Sequence, residues 1–249
     1  MLILAIESSA KPVSVAVYNT YSAHTTNAAH TTSTKHTACT GTLLGQYFQN
    51  NGFSHSRTLL TMAESLMKNL DIKPADLGLI AVASGPGSFT GVRIGVSAVK
   101  GLAWGLDIPV CGVSTLEAMA YQTPEPDIII CPVMDARRDQ VYNALFKWQD
   151  GTLIRLCDDR AISLKDLAIE LKANGSPILP IGDGVDVFKQ SGEFTDYFKP
   201  PELLRYQTAY GVALAACYAK PIDAIELEPY YLRPSQAERE REQITDCKP

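Results

Sequence analysis

The stretch SGPGSFTG at residues 84–91 places three glycines in a short turn between an apolar run and a helical pattern. Such turns bind phosphate when their backbone amides face the ligand at a helix N-terminus. The spacing fits neither common phosphate loop, because Gly85, Gly87 and Gly91 give GxGxxxG, without the Gly-Lys pair of a P-loop or the GxGxxG dinucleotide fingerprint. The glycines instead predict a tight reversal of the chain, with Thr90 as the cap of the following helix.

Two acids occur at equivalent positions of an internal repeat. The segment LAIESSAKPVSVAVY aligns without a gap on PVMDARRDQVYNALF, so that Glu7 falls on Asp135. Each copy is typical of a strand, an acid, a turn and a second strand, which together predict a duplicated α/β domain. In the actin, sugar kinase and heat-shock ATPase architecture, acids at the ends of such strands approach a metal-nucleotide. Glu7 and Asp135 are therefore candidates for that role, with backbone amides near Ser8 and Gly85. The alternative is that both acids cap strand ends.

Histidines offer few options for hydrolysis or metal binding. Three of the four lie in the Thr- and Ala-rich stretch 19–41, where no pair has the HxxxH spacing of a metal site. This composition predicts an exposed insertion. A serine peptidase would need a histidine that takes the proton of its nucleophile. His55, with Ser56 or Ser88, is the remaining candidate arrangement, and no orienting carboxylate is evident for it.

The composition argues against several classes of protein. A net charge of −5 and a sequence pI of about 5.4 argue against this chain alone binding a nucleic acid backbone. No segment approaches the ~18 consecutive apolar residues of a membrane helix, and MLILAIESS lacks the basic flank of a signal peptide. Six cysteines without a CxxC pair predict reduced thiols rather than a disulfide framework or a zinc site. These features predict a cytoplasmic protein without membrane attachment, bound metal or cofactor.

Apolar periodicity predicts the elements that position these residues. Strands are indicated by LILAI, VSVAVY, TLLGQYF, LGLIAVAS, IIICPVM and QVYNALFKW. Helices are indicated over 55–70 and 91–105, and later by SLKDLAIELKANG and YQTAYGVALAACYA. Alternating strands and helices of this kind predict an α/β fold.

The helix over 91–105 carries a ridge of small residues, Gly91, Gly95, Ala98, Gly101 and Gly105. Each glycine inside a helix costs about 0.5–1 kcal/mol relative to alanine, so the ridge predicts that something approaches it closely. Three alternatives remain open. In the first, the ridge packs on this protein's own sheet. In the second, it packs on a second chain. In the third, one part of the ridge packs on the sheet and another part on a second chain.

Five segments together resemble the TsaB (YeaZ) family: LAIESS, HSRTLL, SGPGSFTGVRIG, MDARRDQVY and PYYLR. The resemblance covers residues 1–18 and 43–233. It implies a duplicated ribonuclease H-like fold of the actin-like ATPase and sugar kinase (ASKHA) class, with two lobes of mixed β-sheet flanked by helices. The family's usual Asp-Thr-Ser after the first strand is Glu7-Ser8-Ser9 here. The longer side chain of Glu7 would enter a nucleotide site, which further weakens a catalytic interpretation.

The resemblance implies a noncatalytic subunit in the synthesis of N6-threonylcarbamoyladenosine in tRNA. Such a subunit pairs with the catalytic protein TsaD, is joined by the ATPase TsaE, reaches tRNA only through the complex, and forms a homodimer when alone. The partner-binding residues that it implies lie on the two helices: His55, Leu59, Met62, Ala63, Leu66, Gly91, Val92, Gly95, Ala98 and Leu102. A vestigial nucleotide cleft would contain Glu7, Ser8, Ser9, Gly85 and Asp135.

The same resemblance predicts the domain organisation. Residues 1–110 form the N-terminal lobe, 111–233 the C-terminal lobe and 234–249 a charged tail. The alternative function is an active ATPase or small-molecule kinase of the same fold, which would use Glu7 and Asp135. A peptidase that uses His55 is a third, less favoured alternative.

Overall fold

The computed structural model describes residues 1–21, 40–52, 54–125, 127–193, 195 and 197–233. Most of the predicted insertion 19–41 and all of the tail 234–249 lie outside the described residues, and so do His24, His30 and His36. Within the described ranges, none of the helices has the length and apolar character needed to cross a membrane.

Helices flank two β-sheets, as the alternating pattern predicts. The α-helices of the described chain are α1 (His55–Asn69), α2 (Phe89–Leu106), α3 (Thr115–Tyr121), α4 (Leu164–Asn174), α5 (Val185–Ser191) and α6 (Ala209–Ala216). The two predicted helices of the first half are therefore confirmed, with ends that differ by one or two residues. The cap of α2 was predicted wrongly, because Ser88 rather than Thr90 accepts the hydrogen bond, from the Gly91 amide.

The first sheet has the strand order β3-β2-β1-β4-β5. Its strands are β1 (Leu2–Glu7), β2 (Val13–Thr20), β3 (Gly41–Gln49), β4 (Leu77–Gly85) and β5 (Val110–Ser114). Strand β1 pairs antiparallel with β2 and parallel with β4. It is apolar on both faces because Leu4 and Ile6 belong to the core under α1 and α2, while Ile3 and Ala5 face α6.

The second sheet repeats this pairing. Its strands are β6 (Ile129–Arg137), β7 (Gln140–Asn143), β8 (Phe146–Gln149), β9 (Thr152–Arg155), β10 (Arg160–Ser163) and β11 (Ile178–Ile181). Strand β6 pairs antiparallel with β7 and parallel with β11, as β1 pairs with β2 and β4. Strand β7 in turn pairs antiparallel with β10, as β2 pairs with β3. The predicted strand QVYNALFKW is divided into β7 and β8, both of which pair with β6. The duplication is confirmed.

Helix α3 connects the cores of the two sheets. Its Ala118 belongs to the cluster under α6, whereas Leu116, Met119 and Ala120 belong to the cluster around the second sheet. Helix α6, far along the chain, packs on β1 and β2 of the first sheet. The lobe boundary between residues 110 and 111 remains a prediction, and the chain after residue 208 returns to the first half.

The cysteines are only partly as predicted. Cys111, Cys131 and Cys157 are free thiols. Cys217 is disulfide-bonded, so the expectation of reduced thiols is wrong at that position. Sequence spacing does not reveal which sulfur atoms approach each other in the folded chain.

The glycine ridge of α2 divides into two parts. A Cβ atom at Gly91 would overlap the carbonyl oxygen of Ser8, and one at Gly95 would overlap the Ser8 hydroxyl. At Gly101 and Gly105, by contrast, a Cβ would meet nothing within 4 Å. The N-terminal part therefore packs on the protein's own chain at Ser8, just after β1, and the C-terminal part is open.

The same substitution at the two parts of α2 is expected to have opposite effects. Gly91→Ala should destabilise the fold by about 1–3 kcal/mol, since the Ser8 backbone must move. Gly101→Ala should stabilise it by about 0.5–1 kcal/mol, because the helix gains propensity without a clash. Urea unfolding of both variants measures the two free energies, and a loss of stability in Gly101→Ala would contradict the open environment of that residue.

Candidate functional site

A cleft of about 690 Å³ lies between the two halves of the protein. The first half contributes Ser9 and the β4–α2 turn, and the second contributes Asp135, Arg137 and Asp183. The chain segment 230–233 closes the remaining side. The first strand of each sheet, β1 or β6, ends at this cleft. The internal repeat therefore brings its two acidic positions to the same region.

Glu7 is buried beneath this cleft rather than exposed in it. Its side chain is 1% exposed and its Oε1 accepts hydrogen bonds from both the amide and the hydroxyl of Ser9, at 2.6 Å each. Burial raises the pKa of Glu7 to about 7; the hydrogen bonds from Ser9 oppose this shift and the charge of Asp183 adds to it. Oε2 has no hydrogen-bond partner. The sequence alone does not show that Glu7 lies under the surface.

The glycine turn uses its polar groups within the protein. Ser88 donates its amide to the carbonyl of Ser9 at 2.6 Å, and the Ser8 hydroxyl donates to the carbonyl of Gly91 at 2.9 Å. A Cβ at Gly87 would overlap the Ser9 carbonyl, so the turn lies directly on the end of β1. The turn therefore closes against β1, which fits the prediction that it is not a phosphate loop.

Gly85 is also closed off from the cleft. Its φ of +128° requires glycine, and a Cβ there would overlap the carbonyl oxygen of Tyr230. The Tyr230 amide donates to the Ser84 carbonyl at 2.7 Å. Of the five residues predicted for a nucleotide cleft, Ser9 and Asp135 line it, whereas Glu7, Ser8 and Gly85 lie behind its wall.

Two acids of the second half face the cleft. Asp135 accepts the Arg137 amide at 2.7 Å and forms an ion pair with the Arg137 guanidinium at 3.4 Å. Asp183 is half-buried and accepts a hydrogen bond from Gln207 Nε2 at 2.9 Å. Burial raises the pKa of Asp183, and the charge of Asp135 adds to this effect, while the Gln207 hydrogen bond opposes it.

The sequence analysis missed Asp183. The signal that could have found it is the glycine-flanked acid of PILPIGDG, where the end of β11 runs into a turn as the end of β4 does in AVASGPGS. Gly182 has φ +109° and a Cβ there would overlap the Val133 carbonyl, so this second turn lies on β6 as the first lies on β1. The acid between its two glycines consequently points toward the cleft.

The histidine and serines of the peptidase alternative have other hydrogen-bond partners in the structure. His55 Nε2 lies 3.2 Å from the Pro12 carbonyl, and the Ser88 hydroxyl accepts the Gly91 amide at 3.3 Å. The other candidate nucleophile, Ser56, bonds to Ser54 at 2.7 Å. Within the described ranges, no cluster of three or more His, Cys, Asp or Glu residues could hold a metal ion. In the described part of the chain, neither Ser56 nor Ser88 therefore forms a hydrogen-bonded pair with His55.

The segment before residue 234 is attached to the start of α2 by an aromatic contact. The rings of Phe89 and Tyr231 stack with centroids 4.6 Å apart, and the Arg93 guanidinium lies 3.8 Å from the Phe89 centroid. Arg93 Nε also donates to the Tyr231 hydroxyl at 2.7 Å. These contacts hold PYYLR against the β4–α2 turn, so the segment helps to form the cleft wall.

The residues predicted to bind a partner lie mostly inside the protein. Buried in its own core are Leu59, Ala63, Leu66, Gly91, Val92 and Gly95. Met62, Ala98 and Leu102 are half-buried, and His55 lines the cleft. The apolar arc visible in the sequence is thus the side of each helix that faces the sheet.

The accessible residues of the same helices overlap this predicted set only in Ala98 and Leu102. We define the outer helix face as Leu60, Ile94, Ala98, Gly101, Leu102 and Gly105. Leu60 is 48% exposed, and Gly101 and Gly105 are open. This face is apolar or small in every side chain, which leaves room for another helix to approach α1 and α2.

Comparison with known proteins identifies the family of the chain. A protein-family model described as "TsaD: tRNA N6-adenosine threonylcarbamoyltransferase" matches residues 50–217, more than half of the chain. A Bacillus subtilis (strain 168) protein named "tRNA threonylcarbamoyladenosine biosynthesis protein TsaB" is 40% identical over 149 residues, which are 60% of this chain and 65% of that protein. An Escherichia coli (strain K12) protein of the same name is 25% identical over 242 residues, 94% of this chain and 95% of its own length. The chain belongs to the TsaB/YeaZ family.

Solved structures of the TsaB/YeaZ family have the same fold. YeaZ from Pseudomonas aeruginosa superposes with a TM-score of 0.71 at 23% identity, over 93% of this chain and 99% of that chain. A second structure, described as an uncharacterized protein with similarity to peptidase YEAZ from Pseudomonas aeruginosa, gives a TM-score of 0.72 at 22% identity. Together with the family-model match, these superpositions confirm the duplicated ribonuclease H-like (ASKHA) fold that the resemblance implied.

The contact between Tyr231 and Arg93 is expected to stabilise the C-terminal segment measurably. Tyr231→Phe removes the accepted hydrogen bond and should lower the free energy of unfolding by about 0.5–1.5 kcal/mol. Tyr230→Phe is a matched control expected to change it by less than about 0.5 kcal/mol, since Tyr230 bonds to Ser84 through its backbone amide. Urea unfolding measures both, and equal effects would contradict this role of the Tyr231 hydroxyl.

Proposed function

We propose that this protein is a noncatalytic subunit in the synthesis of N6-threonylcarbamoyladenosine in tRNA. It binds and supports the catalytic subunit TsaD, together with the ATPase TsaE, in the cytoplasm. It needs no cofactor of its own, and it forms a homodimer when the partner is missing. Contact with tRNA occurs through the complex, since a net charge of −5 disfavours binding of the phosphate backbone by this chain alone.

The outer helix face is the observation that carries this proposal. Its side chains are small or apolar, and they lie on two neighbouring helices that cover one face of the first sheet. Glycine costs helix stability, so exposed Gly101 and Gly105 are costly unless a partner uses the space above them. A helix pair of a subunit with the same fold would fill that space, and TsaD is such a subunit by the family resemblance.

The state of the cleft supports the noncatalytic part of the proposal. The Ser88 amide at the start of α2 is used by Ser9, and Glu7 is buried away from the cleft surface. A nucleotide would have to displace these hydrogen bonds before its phosphates could reach the turn. The ATPase or kinase alternative is therefore less well supported than a binding role.

A charge placed on the outer helix face should prevent pairing while leaving the fold intact. Leu60→Asp is expected to weaken the complex with TsaD at least about tenfold, because an unpaired carboxylate would be buried in an apolar interface. The change in stability should be below about 0.5 kcal/mol, since Leu60 is 48% exposed. Titration calorimetry with TsaD gives the affinity, and urea unfolding gives the stability.

Ile169→Asp is the matched control for this experiment. Ile169 is 57% exposed on α4, the helix that occupies the place of α1 in the second copy of the repeat. The same charge there should leave the affinity for TsaD unchanged. Equal weakening by the two variants, or none by Leu60→Asp, would show that the outer helix face is not the binding surface.

Reconstitution tests the reaction itself. The chain, TsaD and TsaE, supplied with ATP and with threonylcarbamoyl adenylate as the group donor, should together modify tRNA with release of AMP, and omission of this chain should abolish the activity. The isolated chain should hydrolyse no ATP, so Glu7→Ala should cause no change in ATP hydrolysis. ATP turnover by the chain alone that disappears in Glu7→Ala would instead establish the kinase-like alternative.

A further inference from the structure

An exposed tryptophan lies near the C-terminal end of α2. The side chain of Trp104 is 87% exposed, and Ile225 of the C-terminal segment is 78% exposed. Both line one groove of about 990 Å³ between the end of α2 and residues 221–225. Tryptophan side chains are on average largely buried, and a large exposed apolar area marks an interaction site. The groove is therefore a candidate binding surface outside the cleft.

Hydrogen bonds fix the walls of this groove. The Lys100 ammonium donates to the carbonyls of Ile225 and Leu227, at 3.0 and 2.9 Å. Val110 and Ile222 exchange two backbone hydrogen bonds, at 3.0 and 2.8 Å, which attach the segment to the start of β5. The Leu227 side chain is buried in the core under α1 and α2. Because the walls are held in place before a partner arrives, little conformational entropy is lost on binding.

The charges of the groove favour a cation. Asp107 and Asp223 line it and are exposed, and Asp107 follows the C-terminus of α2, where the helix dipole places partial negative charge. Lys100 also lines the groove, but its ammonium already donates to two carbonyls. The face of the Trp104 ring attracts a cation as well, and it offers apolar contact to the stem of a lysine or arginine. The phosphate backbone of a nucleic acid would be repelled by the two carboxylates.

The groove is continuous with the outer helix face. Gly101 belongs to both, because it lines the groove and the space above it is open. Gly101 and Trp104 are three residues apart on α2, so they are neighbours on the helix surface. A partner helix that lies over Gly101 therefore brings its own side chains next to the Trp104 ring.

We propose that this groove binds a lysine or arginine side chain of TsaD. The proposal rests on the proposed function, which assigns TsaD to the outer helix face. The stem of the bound side chain packs on Trp104 and Ile225, and its charged end faces Asp107 and Asp223. The outer helix face then supplies apolar contact, and the groove sets the position of the partner along α2, because a cation placed elsewhere lacks these carboxylates.

Fluorine NMR follows the groove directly in the full chain. The protein has two tryptophans, so labelling with 5-fluorotryptophan gives two resonances, and Trp104→Phe identifies that of Trp104. Saturating unlabelled TsaD should shift the Trp104 resonance and reduce its solvent isotope shift, because water is excluded from the ring. The Trp148 resonance is the internal control and should not move, since that indole lies in the second half and donates to the Thr123 carbonyl at 2.9 Å. A complex in which the Trp104 resonance stays in place would overturn the proposal.

Variants distinguish a bound cation from a purely apolar contact. Trp104→Leu keeps an apolar side chain without the ring face and should weaken the affinity for TsaD about fivefold. Asp223→Asn keeps the oxygen that accepts the Ile225 amide at 2.8 Å and removes only the charge. It should weaken the affinity about threefold and make it less sensitive to sodium chloride than that of the wild type. Asp150→Asn, at an exposed acid of the second half, is the matched control and should follow the wild type. Equal salt sensitivity in the wild type and Asp223→Asn would overturn the binding of a cation.

Leu60→Asp keeps this test separate from that of the proposed function. Weaker binding of TsaD by Leu60→Asp, together with unchanged binding by Trp104→Leu, would retain the outer helix face and overturn the groove proposal. If the wild type forms no complex with TsaD, the proposed function fails and the groove proposal fails with it. A shift of the Trp104 resonance by tRNA without TsaD would overturn the proposal in favour of a nucleic acid.

Discussion

The close contact between the β4–α2 turn and the end of β1 is the constraint on which the rest of the site depends. Glycine is required at positions 87 and 91 because the carbonyl oxygens of Ser9 and Ser8 occupy the space of a Cβ. The same contact consumes the Ser88 amide and the Ser8 hydroxyl. One packing arrangement therefore explains both why the turn is rich in glycine and why it is poorly suited to phosphate.

The duplication places an equivalent turn on each first strand, and the cleft forms where the two copies meet. The two copies differ in the acidic side chains that they place at the cleft. In the first, the acid is buried under the turn and bound by Ser9. In the second, Asp135 remains at the surface beside Arg137, and the turn supplies a further acid, Asp183.

Helix α2 serves both surfaces of the protein. Its first half is fixed on β1 by Gly91 and Gly95, and its second half leaves Gly101 and Gly105 open. Helix α1 lies beside it on the same sheet, with Leu60 exposed. A rigid attachment at one end and an open stripe at the other suit a scaffold that presents a preformed surface to a partner, because little conformational entropy is then lost on binding.

The sequence by itself determined the elements and their duplication. Apolar periodicity predicted most strands and α1, α2, α4 and α6, and the repeat related Glu7 to Asp135 before any coordinate was known. Local patterns carry this information because helices and strands bury one stripe or face. Only the tertiary structure decided which way the glycine ridge faces, that Glu7 is covered, and that Asp183 and Tyr231 join the cleft. Those facts arise from contacts between segments about 80 to 180 residues apart, and no local spacing encodes the distance between such segments.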